Sequence, residues 1–560
     1  MADLGGPGLA TVVHDTDGTV HAFTPNNQEL PSWPSQVGPA STSTMIGASD
    51  LDADGLDELL VAVGSFNVLS ADGRIAQGWP FQVIEGGFQC VVPTAARFHG
   101  AAAPHLVAAN GLGRIFLLNT RAEILSGWPV ILPPGQFRHP LIESVAVGDI
   151  TGNGNPDIVT TNFNDSRVFA YDQDGGLLPS FPVTVGRILD EPTLGDLDGD
   201  GDHEIVFWTD RTSLGGPGII VLNGDGTLVE GWPQATNAVG NFGVALGDVD
   251  GDGRLELLAG TVGNAATFEG GVYLWNDDGT PVPGWPKLLP NVFFASPMTI
   301  ADVDGDGRGD IVAPGETSVG PSTGVVHAWN GDGHAIPGFP LNVFAPIAGA
   351  VTVTDIDQDG IADLNVTTFA GVFITLPGTI RWWNLGVPYR PEGMEWPTRA
   401  HDMARTGAYA PPVRRVGIDM RLLPRTLGAG TPAPPLTAVL TPADDASSVP
   451  TQWRLVQVDG QAIEPVDGTA VGERTESGRP FRRRASSGRL VFRFDGGAVR
   501  ARLGGPGAHN LTFRSDVIGG LGGDQFEAEA TITVRPLLGR FGLHRELVSC
   551  CTDARAEVPR

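Results

Sequence analysis

Apolar residues over the first four hundred positions come in short bursts separated by glycine- and aspartate-rich breaks. LLVAV follows Glu58, IVTT follows Asp157, IVFW follows Glu204 and LLAG follows Glu256, while small apolar stretches such as SVAVG and GVALG precede Asp149 and Asp248. Runs of this length, rich in β-branched residues and bounded by turn formers, predict strands. Between the two strands of each pair lies a nine-residue loop: DLDADGLDE from Asp50, DITGNGNPD from Asp149, DLDGDGDHE from Asp196, DVDGDGRLE from Asp248, DVDGDGRGD from Asp302 and DIDQDGIAD from Asp355. A second pattern follows, as in GVYLWNDDGTPVPGWP, and predicts a third strand, a tight turn and a fourth strand.

The aromatic-proline step that closes this second pattern occurs eight times, at Trp33, Trp79, Trp128, Phe181, Trp232, Trp285, Phe339 and Trp396. Two degenerate loop copies complete the register, one at Asp3 and one at Arg97, so loop starts fall at 3, 50, 97, 149, 196, 248, 302 and 355. Four strands per period of about 50 residues, repeated eight times, predict an all-β, eight-bladed β-propeller over residues 1–410, with seven blades as the alternative count. The first unit begins too close to Met1 to hold its own innermost strand. Either a closing segment near residue 400 supplies that strand, or the chain is part of a larger polypeptide.

Within the loops, oxygen-bearing side chains occupy positions 1, 3, 5 and 9. They are Asp50, Asp52, Asp54 and Glu58; Asp149, Thr151, Asn153 and Asp157; Asp196, Asp198, Asp200 and Glu204; Asp248, Asp250, Asp252 and Glu256; Asp302, Asp304, Asp306 and Asp310; and Asp355, Asp357, Asp359 and Asp363. Position 6 is glycine in all six copies, which permits the sharp turn. Alternating short carboxylates, a glycine turn and a ninth-position carboxylate form a wrapped site for a hard cation, and calcium fits better than magnesium because every donor is oxygen and the shell is large. Five good structural calcium sites and one poorer one, at Asp149, are expected. The copies at Asp3 and Arg97 lack the ligands. Arg308-Gly309-Asp310 spells an adhesion tripeptide, but Asp310 is the ninth residue of its loop, so it is read as a ligand.

Charge sharpens the domain picture. The net charge is −29, yet residues 411–560 carry 20 arginines against 16 acidic residues, which leaves −33 on residues 1–410. So acidic a propeller argues against a nucleic-acid partner. Three cysteines make no disulfide framework, and no apolar run reaches the length of a membrane helix.

The repeats resemble the FG-GAP or VCBS-type calcium-binding repeats of bacterial secreted and surface propellers and of integrin α-subunit heads; NFGVALGDVDGDGRLELLAG at residues 241–260 carries the Phe-Gly pair and the whole loop. WPTRAHDMARTGAY at residues 396–409 is similar to the segment that closes such bacterial propellers. The resemblance implies calcium and an extracellular or cell-surface location, and it implies no activity. After Pro411-Pro412 the metal loops stop. Residues 411–536 read as short strands of a small β-sandwich resembling an accessory module of bacterial surface proteins, and residues 537–560 read as a flexible tail.

Two function classes follow. The first is a calcium-stabilised binding or scaffold propeller that takes a glycan or protein ligand. The second is a calcium-dependent polysaccharide-active, lyase-like enzyme, for which no base-and-cation constellation is identifiable. Acidic loops and tight turns share one face of the propeller, so a ligand is expected on the other, near Arg138 and His139, Arg187, Asp190 and Glu191, and Phe293 and Phe294.

Overall fold

Each strand–loop–strand unit folds into a small antiparallel sheet, and eight such sheets follow one another along the chain. The computed structural model describes residues 1–409 except 16–17, 39–45, 63–64, 83–89, 99–102, 111–112, 134–144, 163–165, 189–190, 211–214, 241–242, 264–266, 295, 318–322, 344, 348, 369–378, 399–400, 402–404 and 406–407; beyond 409 it describes strand backbones alone. Blade 1 is built on Thr11–His14, Thr19–Phe23 and Ser35–Gln36, and blade 2 on Ile46–Ser49, Glu58–Ala62 and Phe66–Leu69. The second strands of blades 3 to 8 are His105–Asn110, Asp157–Asn162, Glu204–Thr209, Glu256–Gly260, Asp310–Thr317 and Ile361–Thr367. The arrangement is an eight-bladed β-propeller.

Register explains why the loops recur so regularly. In all six acidic copies the ninth residue pairs with the residue just before position 1: Ser49 with Glu58, Gly148 with Asp157, Gly195 with Glu204, Gly247 with Glu256, Ala301 with Asp310 and Thr354 with Asp363. Each loop is therefore a hairpin connection whose last acidic residue already belongs to the second strand. That strand is stacked between neighbouring blades and buried on both faces, as Glu204–Thr209 is throughout, which is why its sequence is a continuous apolar run instead of an alternating one. Cores cross blade boundaries: Trp208 of blade 5 shares one cluster with Leu246, Leu257 and Leu274 of blade 6. Burying an aliphatic side chain in such a core contributes roughly 1.5–3 kcal/mol.

The aromatic-proline step is a clamp between blades. Trp33, Trp79, Trp128, Trp232 and Trp285 each donate their indole N–H to a carbonyl in the next blade's turn, namely Ala71, Thr120, Gln173, Asp277 and Gly331, at 2.9–3.2 Å. Phe181 and Phe339 hold the same place without a donor. These seven aromatic-proline bonds are cis. The eighth step, Trp396-Pro397, is different. Instead of forming a fourth strand, Trp396 exchanges backbone hydrogen bonds with Ile300, the inner strand of blade 7.

The segment around Trp396 crosses the inner strands of many blades. Val353 donates to the Pro397 carbonyl, Tyr409 to the Leu194 carbonyl, and the Thr94 hydroxyl to the Arg405 carbonyl, which joins blades 8, 5 and 3. Trp396, Thr398, His401 and Arg405 are buried; Trp396 stacks edge-on against His401, and Arg405 lies 3.8 Å from Glu191. The hydrogen bonds described for this segment go to blades 3, 5, 7 and 8. In blade 1, Ala2 bridges Ala10, and Leu9 donates to the Ile356 carbonyl of blade 8.

The chain divides into two compact units, Met1–Val413 and a second that holds Arg414–Ile518. The strands read from sequence in the second unit are present: Ile418–Leu423, Leu436–Pro442, Trp453–Val458, Arg489–Phe494, Gly507–Ser515 and Phe526–Arg535. A further strand, Gln461–Arg474, pairs with Trp453–Val458 through its first half and with Arg489–Phe494 through its second. By changing partner it joins eight strands of the sheet into one continuous order, with a ninth, Pro480–Phe481, paired to Gln461–Arg474 off that path. The arginine run 482–484 and the tail at 537–560 lie outside the described residues.

Candidate metal centres

Every acidic loop uses one hydrogen-bond scheme. The position-1 carboxylate accepts the N–H of the position-6 glycine at 2.6–3.2 Å. The position-5 side chain accepts the N–H of position 7 at 2.8–3.1 Å. The ninth-position carboxylate accepts the N–H of position 2 at 2.7–3.2 Å. These short Asx-type bonds turn the backbone around its own acidic side chains. The turn needs left-handed backbone at position 6, with φ 81–98° from Gly55 to Gly360, and also at position 4, where Gly152, Gly199, Gly251 and Gly305 recur and Ala53 and Gln358 take the same conformation. The position-4 glycine is a sequence signal that the reading of position 6 alone overlooks.

Carboxylate oxygens converge within 4.8 Å of one another in five loops: Asp50, Asp52 and Glu58; Asp196, Asp198 and Glu204; Asp248, Asp250 and Glu256; Asp302, Asp304 and Asp306; and Asp355, Asp357 and Asp359. Asp54, Asp200, Asp252, Asp310 and Asp363 complete the same loops. The Asp149 loop differs in kind. There the Thr151 hydroxyl donates to Asp157 Oδ2 at 3.1 Å or to Asp149 Oδ1 at 3.3 Å, so a neutral donor stands among the acids.

Burial makes these clusters electrostatically expensive. It pushes the carboxyls of Glu204, Glu256 and Asp310 up to about 8, Glu58 to about 7, and Asp157 and Asp363 to about 6, with neighbouring acids adding to the rise in each. Asp363 Oδ1 is buried with no hydrogen-bond partner. An orphaned carboxylate oxygen facing a crowd of acids calls for a cation, and an all-oxygen donor set fits calcium. Burial of Asp310, at 1% exposure, also turns the carboxylate of Arg308-Gly309-Asp310 inward.

The loops sit on one rim with the tight turns. Arg254, in the Asp248 loop, pairs with Asp277 in the turn of the same blade, and Arg308 of blade 7 donates to the Asp250 carbonyl of blade 6 at 3.3 Å. Blade 7's loop is the most covered: Asp302 accepts no solvent at its surface, and its N–H donates to the Gly393 carbonyl. In the degenerate first copy, Asp3 and Asp57 exchange hydrogen bonds across blades 1 and 2.

The residues expected to face a ligand are scattered in environment. Arg187 is half-exposed and lies 3.8 Å from Asp210. Glu191 is buried against Arg405. Phe294 is 1% exposed and packs between blades 6 and 7, edge-on to His327, while Phe293 is partly exposed and lies against the backbone of Gly263. Arg138, His139 and Asp190 lie outside the described residues.

Residues 149–207 and 196–259 match the family model described as an FG-GAP-like repeat. These are the repeats of blades 4 and 5 with the loop of blade 6. No curated protein sequence matches the chain significantly. Among solved structures, BBS1N in complex with ARL6DN is similar at 13% identity and a TM-score of 0.37, covering 62% of this chain and 91% of that one. The quinohemoprotein alcohol dehydrogenase of Comamonas testosteroni is similar at 12% identity and a TM-score of 0.41, covering 68% and 73%. The Dos1 propeller is similar at 12% identity and a TM-score of 0.38, covering 70% and 96%. These likenesses add nothing to the functional reading. Among the described residues, no helix is long and apolar enough to cross a membrane.

Proposed function

We propose that this propeller of FG-GAP-like repeats is a calcium-stabilised binding scaffold of a secreted or cell-surface protein, presenting its surface to a protein or glycan partner. One observation carries the calcium part: five carboxylate clusters recur at one rim in one geometry, each backed by a buried ninth-position acid. Asp, Glu and backbone oxygens would hold the ions. Bound calcium would supply the positive charge that the buried acids lack, and its role would be to hold the hairpin loops of the blades. Extracellular calcium modules bind at roughly 10⁻⁴ to 10⁻³ M, the range this reading assigns to the five sites. A ligand at a hundred times its dissociation constant contributes about 2.7 kcal/mol per independent site. Thermal melting in excess chelator should therefore fall by many degrees and recover on adding calcium but not magnesium. An unchanged melting curve after verified metal removal would contradict the proposal.

A further inference from the structure

In blades 2 to 5 the residue that follows the tight turn is bridged to the last residue of the third strand: Leu69 with Ile75, Leu118 with Ile124, Tyr171 with Leu177 and Leu222 with Leu228. The next residue, Ala76, Leu125, Leu178 or Val229, packs against the core. Side chains alternate along an extended chain, so the bridged position points to solvent and gains nothing for the fold by being apolar. Yet Ile75, Ile124, Leu177 and Leu228 stand there at 43–50% exposure, and they are four of the eight large apolar side chains exposed among the described residues. The same position holds Glu29 in blade 1, Pro281 in blade 6 and Ala335 in blade 7. The apolar choice therefore belongs to four consecutive blades and not to the repeat. Their turns touch in succession: Trp79 of blade 2 donates to the Thr120 carbonyl in the turn of blade 3, Trp128 of blade 3 to the Gln173 carbonyl in the turn of blade 4, and a Cβ at Gly226 in the turn of blade 5 would lie 2.6 Å from Val183 of blade 4. The four aliphatic side chains thus follow one another along one surface.

An exposed aliphatic arc marks an interaction surface, and the charge around it says what fits. The turns of blades 4 and 5, residues 171–181 and 222–232, carry Asp172, Asp174, Asp225 and Glu230 and no lysine or arginine. Hydrogen bonds from Thr227 hold the Asp225 carboxyl below its ordinary value, so it stays ionised. In blade 2, by contrast, Arg74 lies 3.2 Å from Asp72, and in blade 3 Arg121 offsets the charge of Glu123. We infer that Ile75, Ile124, Leu177 and Leu228 form a docking surface for a partner protein that presents aliphatic side chains flanked by lysine and arginine. Its apolar groups would cover the arc, and its cations would meet the acids of blades 4 and 5. The same acids repel an anionic membrane surface. This deepens the binding reading and rests on it, while leaving the calcium sites untouched.

The probe is a monomeric, fluorescein-labelled amphipathic peptide of about 18 residues, with leucine, alanine and lysine set at the helical period. It is titrated with the full chain at saturating calcium and about 0.3 M salt to suppress long-range charge attraction. Saturable binding is expected, weakened at least about tenfold when glutamate replaces the peptide's lysines or serine its leucines. Ile75→Ser, Ile124→Ser, Leu177→Ser and Leu228→Ser combined should weaken it at least about tenfold with an unchanged melting temperature. Ile131→Ser with Leu288→Ser is the control, because these exposed side chains pair toward the opposite end of the third strands, and it should cost less than about twofold. Asp174→Asn with Glu230→Gln should weaken binding about threefold. Equal loss in the control, or none in the fourfold variant, would overturn the inference, as would equal affinity for the lysine and glutamate peptides. If the fourfold variant fails to fold, the charge variant and the peptide series decide. Binding to phosphatidylcholine vesicles, or self-association, that the fourfold substitution abolishes would assign the arc to lipid or to a second copy and overturn the inference too. Absence of binding at millimolar peptide would overturn the docking surface and leave the calcium response standing.

Discussion

The loops of blades 4 and 6 have the same backbone and opposite electrostatics. Both wrap around a position-1 aspartate, both turn through left-handed glycines at positions 4 and 6, and both end on a buried acid bonded to the position-2 N–H. In blade 6, Asp248, Asp250 and Glu256 crowd together, and burial pushes Glu256 up to about 8. In blade 4, Thr151 puts a hydroxyl where blade 6 has Asp250, and that hydroxyl bonds to the acids on either side. The turn is thus specified by Asx bonds and glycine, while the demand for a cation comes from the extra carboxylates. One loop closes on itself; the other five leave their acids crowded, which is the place the proposed ion would take.

The largest expected break is with pH. In the metal-free protein the buried acids titrate at about 6 to 8, far above the values near 4 of an unfolded chain. The folded state therefore holds protons that the unfolded state has lost. Raised acid pKa values favour the fold at low pH, so stability without metal should fall progressively from about pH 4 to about pH 8. Calcium, if it occupies the deprotonated clusters as proposed, should reverse the trend. Melting temperatures with and without calcium should be closest near pH 5 and furthest apart near pH 8. A metal-free melting temperature that rises between those values would contradict the electrostatic account.

Next in size is the contrast between ninth-position acids. Glu256→Gln should remove one bound calcium and cost about 2–3 kcal/mol at saturating metal, whereas Asp157→Asn should leave metal content unchanged and cost about 1 kcal/mol, the worth of a weakened hydrogen bond. Metal analysis beside chemical denaturation would show the difference, and equal losses of calcium in both variants would erase it. Thr151 offers a finer test. Thr151→Asp should convert blade 4 into a sixth site and raise calcium content by one, while Thr151→Val should destabilise by about 1 kcal/mol with no change in metal. The smallest effect belongs to the clamps: Trp285→Phe keeps the ring and loses the bond to the Gly331 carbonyl, so about 1 kcal/mol of stability should go.

Much of the propeller was legible because its repeat is written at three levels at once. Apolar runs mark strands buried on both faces, Asp-Gly spacing marks the loops, and the aromatic-proline step marks the blade boundary. What the sequence hid were roles set by tertiary context. Trp396-Pro397 carries the same letters as five of the clamps, yet it lies on the inner strand of blade 7, since only the packing around Ile300 distinguishes it. Phe294 and Glu191 have the composition of a ligand site and are buried against a neighbouring blade and against Arg405. Thr151 looks like a lost ligand, and it becomes a hydrogen-bond donor only once its distance to Asp157 is known. Local pattern fixed the loop geometry, whereas partner identity depended on distances no spacing rule supplies.

The account's central claim is that acid count, not loop shape, decides where an ion sits. Calcium bound per chain, measured by elemental analysis after dialysis at a saturating free concentration near pH 8, tests it most directly. Five equivalents are predicted, one each for the loops beginning at Asp50, Asp196, Asp248, Asp302 and Asp355. Six equivalents would show that the blade 4 turn recruits an ion despite Thr151, and none would show that the buried acids are held by protons alone.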